Sequence, residues 1–113
     1  MTSDARNSPT IQRLLARLPE FKPTFDQFVQ EEDGEFGSFW AVNELHRWAF
    51  PQNHPDLLRR VFDAFEEVYA DRSLRDGDYL AIEFFEGVCE AGRARFDGYI
   101  GPCSREWFDR HGW

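Results

Sequence analysis

Tyr79, Glu83, Glu86 and Glu90 are spaced by four, three and four residues within the stretch 76–90, DGDYLAIEFFEGVCE. On a helix turning 100° per residue they form a stripe roughly 60° wide. Opposite them, Leu80, Ala81, Ile82, Phe84, Phe85, Val88 and Cys89 cover an apolar arc of roughly 200°, wider than a surface helix normally shows. Three carboxylates on one face are a chemistry that binds hard cations. A di-iron bundle, however, pairs each glutamate with a histidine three residues on and aims both into the core. None of these glutamates has such a histidine, and the stripe points away from the apolar arc. No metal and no cofactor are expected.

The remaining reactive residues form no constellation. Cys103 and His111 match no zinc-site spacing, and two cysteines are too few for a disulfide scaffold. Cys89, on the apolar arc, reads as a small hydrophobe. Ser38 has His46 eight residues on, which predicts nothing catalytic. His46 reads as a partly buried, hydrogen-bonded histidine, and His54 as a cap in the PQNHP turn. There is no Gly-x-Ser-x-Gly elbow and no Gly-rich phosphate loop. The expectation is a non-enzymatic protein, with no catalytic residues.

Charge points to the partner class. Among 113 residues, 21 are acidic and 13 basic, all arginine except Lys22, for a net charge of −8. Such a chain repels nucleic acid and anionic membrane surfaces and attracts basic proteins. Arg93 and Arg95, beside Phe96, read as charge at a helix C-terminus and not as a nucleic-acid face. Two acidic features are candidate partner-binding elements: the loop at 31–35 with Glu31, Glu32, Asp33 and Glu35, and the Tyr79/Glu83/Glu86/Glu90 stripe. Charges steer encounter and nearby aromatics anchor it. The opening MTSDARNSPT has no apolar core, and no apolar run approaches the roughly 20 residues that span a bilayer. The expected location is cytoplasmic. The arginine excess associates with GC-rich bacterial genomes. The aromatics, including Trp113, leave monomer and dimer both open.

Helices must position these residues. Residues 1–8 read as a flexible lead-in and 9–113 as a single helical domain. Ser8-Pro9 starts a first helix with Ile11, Leu14, Leu15 and Leu18 on one face, Arg13 and Arg17 outside, and Pro19 as its stop. Pro23 opens a second, with Phe21, Phe25, Phe28 and Val29 together. Ser38 is the expected cap of a third, apolar around most of its axis and therefore deeply packed. His54 or Asn53 caps a fourth, whose Leu57, Leu58, Val61, Phe62, Phe65, Val68 and Tyr69 fall within roughly 140°. Its outer residues Arg59, Arg60, Asp63, Glu66 and Glu67 offer ion pairs along the helix. Asp76 is the expected cap of the stripe helix, closed by Gly92 or the arginines that follow. A glycine-punctuated linker, FDGYIGP, leads to a last short helix capped by Ser104. No strand pattern appears. The fold class is all-α: five or six helices in a compact bundle with αα-hairpin pairing, helices four and five packed antiparallel at the centre.

The segments LLARLPEFKPTFDQF, GSFWAVNELHRW, LLRRVFDAFEEVYA, YLAIEFFEGV and YIGPCSREW together resemble a family of small, all-helical, functionally uncharacterised bacterial proteins, some of them among toxin–immunity genes. The resemblance spans residues 11–108, with departures at PQNHP and after Phe108. It carries over no catalytic residue. It implies an interaction protein, and more narrowly an immunity protein that occludes the basic surface of a cognate toxin. A structural or regulatory helical adaptor without a toxin partner is the alternative.

Overall fold

The structure, a computed structural model, describes residues 8–31 and 37–111. Every regular element among them is helical: α1 (Pro9–Arg17), a 3₁₀ turn (Pro19–Phe21), α2 (Lys22–Glu31), α3 (Ser38–Ala49), α4 (Pro55–Ala70), α5 (Gly77–Ala91), α6 (Arg93–Phe96), a second 3₁₀ turn (Asp97–Tyr99) and α7 (Pro102–Arg110). The all-α class holds, with seven α-helices where five or six were expected. The difference lies at 93–99, where the arginines expected to close the stripe helix and the start of the glycine-punctuated linker wind into α6 and the following 3₁₀ turn. Phe96 drives this: it is fully buried, with its ring 4.6 Å from Phe50 and 5.4 Å from Phe62. Gly92 separates α5 from α6 at φ +106°, a conformation that side chains other than glycine's rarely adopt.

The wide apolar arc of α5 has three neighbours. Phe84 faces α4 and α3: its ring lies 3.9 Å from Phe65 at an interplanar angle of 3°, with Phe62 at 5.1 Å and Phe50 at 6.0 Å. Phe85 turns the other way, onto Trp107 and Phe108 of α7 and Tyr69 of α4. Helices α4 and α5 run antiparallel, since Gly77 at the start of α5 adjoins Val68 near the end of α4 while Phe84 reaches back to Phe62. Helices α3 and α5 run parallel, with Phe39 beside Tyr79 and His46 beside Gly87.

The outer side chains Arg59, Arg60, Glu66 and Glu67 of α4 bond to its neighbours, and among the described residues no ion pair runs along the helix. Glu67 meets Arg17 of α1 at 2.8 Å, and Arg13 reaches both Glu67, at 3.5 Å, and Asp71, at 2.7 Å. Arg13 and Arg17 lie on the outer side of α1, as expected, and from there reach across to α4 and the residue that ends it. Ser73 and then Arg13 hold the Asp71 carboxyl down at about 2. Arg60 pairs with Glu20, and Arg59 bonds the Gly98 carbonyl while lying over the Tyr99 ring.

Helix caps differ from the sequence expectation in three places. Gly37, not Ser38, occupies the N-cap of α3, and the buried Ser38 hydroxyl has no hydrogen-bond partner among the described residues. Asp76 does sit at the N-cap of α5, but its carboxylate accepts hydrogen bonds from Ser8 and Thr10 at the head of α1 instead of from α5 amides. Ser8 meanwhile accepts from the Ile11 amide, so α1 is capped and tethered through one hydroxyl. Ser104 does not cap α7. Gly101 holds that position, and Glu66 of α4 accepts from the Cys103 and Ser104 amides, both at 2.8 Å, and from the Ser104 hydroxyl at 2.7 Å. Burial pushes the Glu66 carboxyl up, but these donors outweigh it and hold it below its ordinary value.

A Cβ on Gly101 would lie 2.6 Å from Cδ of Glu66, so the glycine is what admits the carboxylate. Glu66→Ala should therefore lower stability by about 1–2 kcal/mol, as loss of a helix cap does, and Gly101→Ala by about 1 kcal/mol. In urea titrations the double substitution should cost clearly less than the two losses added, because both remove the same cap. Full additivity would show that Glu66 and Gly101 act independently.

Candidate functional site

The stripe of α5 lies at the surface as its periodicity requires. Tyr79 is 53% exposed, Glu86 and Glu90 are exposed, and Glu83 is half-buried. None of the three glutamates has an ion-pair partner among the described residues. Burial, followed by repulsion from Glu86 and Glu90, pushes the Glu83 carboxyl above its ordinary value. Like charges are thus gathered on one helix face, and an approaching cation would relieve their repulsion.

Helix α3 contributes what sequence reasoning missed. It was expected to be deeply packed, yet Trp40 is 63% and Phe39 39% exposed. The Phe39 ring sits 4.4 Å from that of Tyr79, so the aromatics and the acidic stripe share one face. Among the described residues α3 packs mainly against α2, α4 and α5, and none of these buries the Phe39 and Trp40 rings. The available signal was the helix itself: apolar residues around most of its axis, in a chain this short, exceed what the other helices can enclose.

Between the length of α3 and the last turns of α5 runs an open groove of about 480 Å³, lined by Trp40, Glu44, His46, Phe50, Gly87 and Glu90 among others. His46 forms part of its wall. The imidazole stacks on Phe84 at 5.2 Å and sits tilted against Phe50 at 5.1 Å, and its Nε2–H donates to the Phe84 carbonyl at 3.2 Å. The ring approaches the α5 backbone so closely that a Cβ on Gly87 would lie 2.2 Å from it. Burial lowers the His46 pKa to about 4, against a smaller upward pull from the Phe84 carbonyl. The ring is therefore neutral at pH 7. The groove gathers this histidine with carboxylates, but its Nε2–H is committed to a backbone carbonyl.

The other candidates are scattered. Glu31 is exposed at the end of α2 and accepts from Gln27 at 3.2 Å. Glu32, Asp33 and Glu35 lie outside the described residues, as does Trp113. The half-buried Cys89 packs against the core. Cys103 and His111 both line a second concavity of about 390 Å³ beside Trp107, where Glu66 and burial push the Cys103 thiol up. His111 stacks on Trp107 and donates to its carbonyl at 2.9 Å. Among the described residues no three metal-binding side chains come together, and no helix is long and apolar enough to cross a membrane.

Residues 11–113 match the family described as "Domain of unknown function (DUF7674)". The chain belongs to the DUF7674 family. The match covers the acidic stripe, the exposed aromatics and the groove. No curated protein and no solved structure matches the chain. Membership agrees with the resemblance to an uncharacterised helical family and assigns no activity to any residue.

His46 makes stability depend on pH. Its folded pKa lies near 4, below the 6.5 of an unperturbed imidazole. Between those values the unfolded chain binds a proton that the folded chain excludes, so stability is complete above pH 6.5 and falls toward pH 4. The full loss is at most about 3 kcal/mol. His46→Gln, which keeps a side-chain donor but does not titrate, should flatten the decline between pH 6.5 and 4.5 in urea titrations. An unchanged slope would assign that pH dependence to other groups.

Proposed function

We propose that this is a non-enzymatic bacterial interaction protein, acting in the cytoplasm, that docks a basic protein partner on the face formed by α5 and the first turns of α3. One observation carries the reading. The carboxylates of Glu83, Glu86 and Glu90, which have no ion-pair partner among the described residues, share a face with the exposed rings of Phe39, Trp40 and Tyr79. Carboxylates without cations draw a basic surface, and aromatic rings at the centre of an interface supply most of its affinity. A net charge of −8 extends the attraction beyond the contact itself. In its sharper form the partner is a toxin and the protein an immunity protein that covers the toxin's basic surface. That form is supported by the resemblance to proteins encoded among toxin–immunity genes.

Glu83→Lys, Glu86→Lys and Glu90→Lys combined should abolish capture of a basic partner from the native host, with helicity by circular dichroism unchanged. Wild-type capture should weaken steeply as salt rises from about 0.05 M to about 1 M, where screening shortens to a few ångströms. A partner held equally well by the reversed protein would exclude this face. If the captured partner is harmless when produced alone, the toxin form fails while the docking face stands.

A further inference from the structure

The groove between α3 and the last turns of α5 continues the docking face, and its lining is specific. Its wall and floor are apolar: Phe50, the neutral His46 ring and Gly87, whose missing side chain lets that ring lie against α5. Trp40 stands at one edge with most of its indole in solvent. Two carboxylates, Glu90 and Glu44, also line it. Glu90 has no ion-pair partner among the described residues. Glu44 is held only loosely, by an Arg47 guanidinium 3.4 Å away whose side chain is 79% exposed.

We infer that this groove takes an arginine side chain of the basic partner, held by the Trp40 indole and by the carboxylates that line the groove, Glu90 and Glu44. The inference rests on the docking face proposed above and names the chemistry that the face would select. An apolar passage suits the methylene stem. A groove lined by an open indole and by carboxylates suits a flat, delocalised, weakly hydrated cation better than a compact, strongly hydrated ammonium. The volume of about 480 Å³ leaves room for one long side chain beside the existing walls. The neutral His46 ring adds no opposing charge. Arg47 stands at the rim, where its exposed side chain can yield to the incoming guanidinium.

The test is an NMR titration of the full-length ¹⁵N-labelled chain with a capped Gly-Arg-Gly-Arg-Gly peptide and its lysine and glutamate counterparts. The arginine peptide should shift the Trp40 indole N–H and the Gly87 and Ala91 amides in a saturable way. The lysine peptide should bind at least about threefold more weakly, and the glutamate peptide should leave these signals in place. Glu90→Gln and Trp40→Ala should each weaken the arginine peptide about fivefold or more. Both residues are exposed, so signals away from the groove should keep their wild-type positions in each variant. Equal binding of the lysine peptide, or a groove unmoved by the arginine peptide, overturns the inference. If arginine shifts appear only around Tyr79, Glu83 and Glu86, the groove is excluded and the docking face survives. If the triple reversal still captures the partner, the docking face itself has failed.

Discussion

Phe84 lying flat on Phe65 is the contact on which the rest of the architecture depends. It fixes α5 against α4 and sets the rotation of α5 about its own axis. Once Phe84 points into the cluster of Phe50, Phe62 and Phe65, Phe85 must point toward α7, and Glu83, Glu86 and Glu90 are left at the surface. The core and the charged face are thus two outcomes of a single helix orientation. A turn of α5 large enough to bury its carboxylates would break the aromatic stack, so the acidic edge is as firmly placed as the core behind it.

Around this apolar centre, α4 arranges the periphery by polar contacts. Glu66, Glu67, Arg60 and Arg59 each reach a different segment: α7, α1 and the two 3₁₀ turns. The exposed ion pairs among them, Glu67 with Arg17 and Arg60 with Glu20, individually contribute little to stability. Their effect is on placement, since each gives one peripheral segment a preferred seat on an otherwise continuous hydrophobic surface.

The sequence was most legible where burial imposes a period. The apolar stripe of α4, the broad arc of α5 and the start of α1 at Ser8-Pro9 could be read because local pattern and tertiary packing agree. It was least legible where a polar group serves a distant segment. Glu66 looked like a surface acid of α4, Asp76 like the cap of its own helix, and Arg13 and Arg17 like an outer face. Each bonds across the fold, and no spacing along the chain encodes that. The acidic stripe could be read from spacing alone. Its aromatic neighbours could not, because whether Phe39 and Trp40 are covered depends on how the other helices are laid out. Gly87 carried a signal of its own: a glycine in mid-helix costs about 1 kcal/mol relative to alanine, and here the His46 ring occupies the space a side chain would take.

The capping of α7 by a carboxylate from α4 has a consequence for the order of assembly. A helix of nine residues is too short to persist alone in water, and the acceptor for its first free amides lies more than thirty residues earlier in the chain. Helix α7 is therefore a conditional helix, whose start is completed only by a surface that has already formed. Because α4 precedes it, synthesis delivers the acceptor before the donors. The α4–α5 hairpin can close first and serve as the template on which the last helix winds.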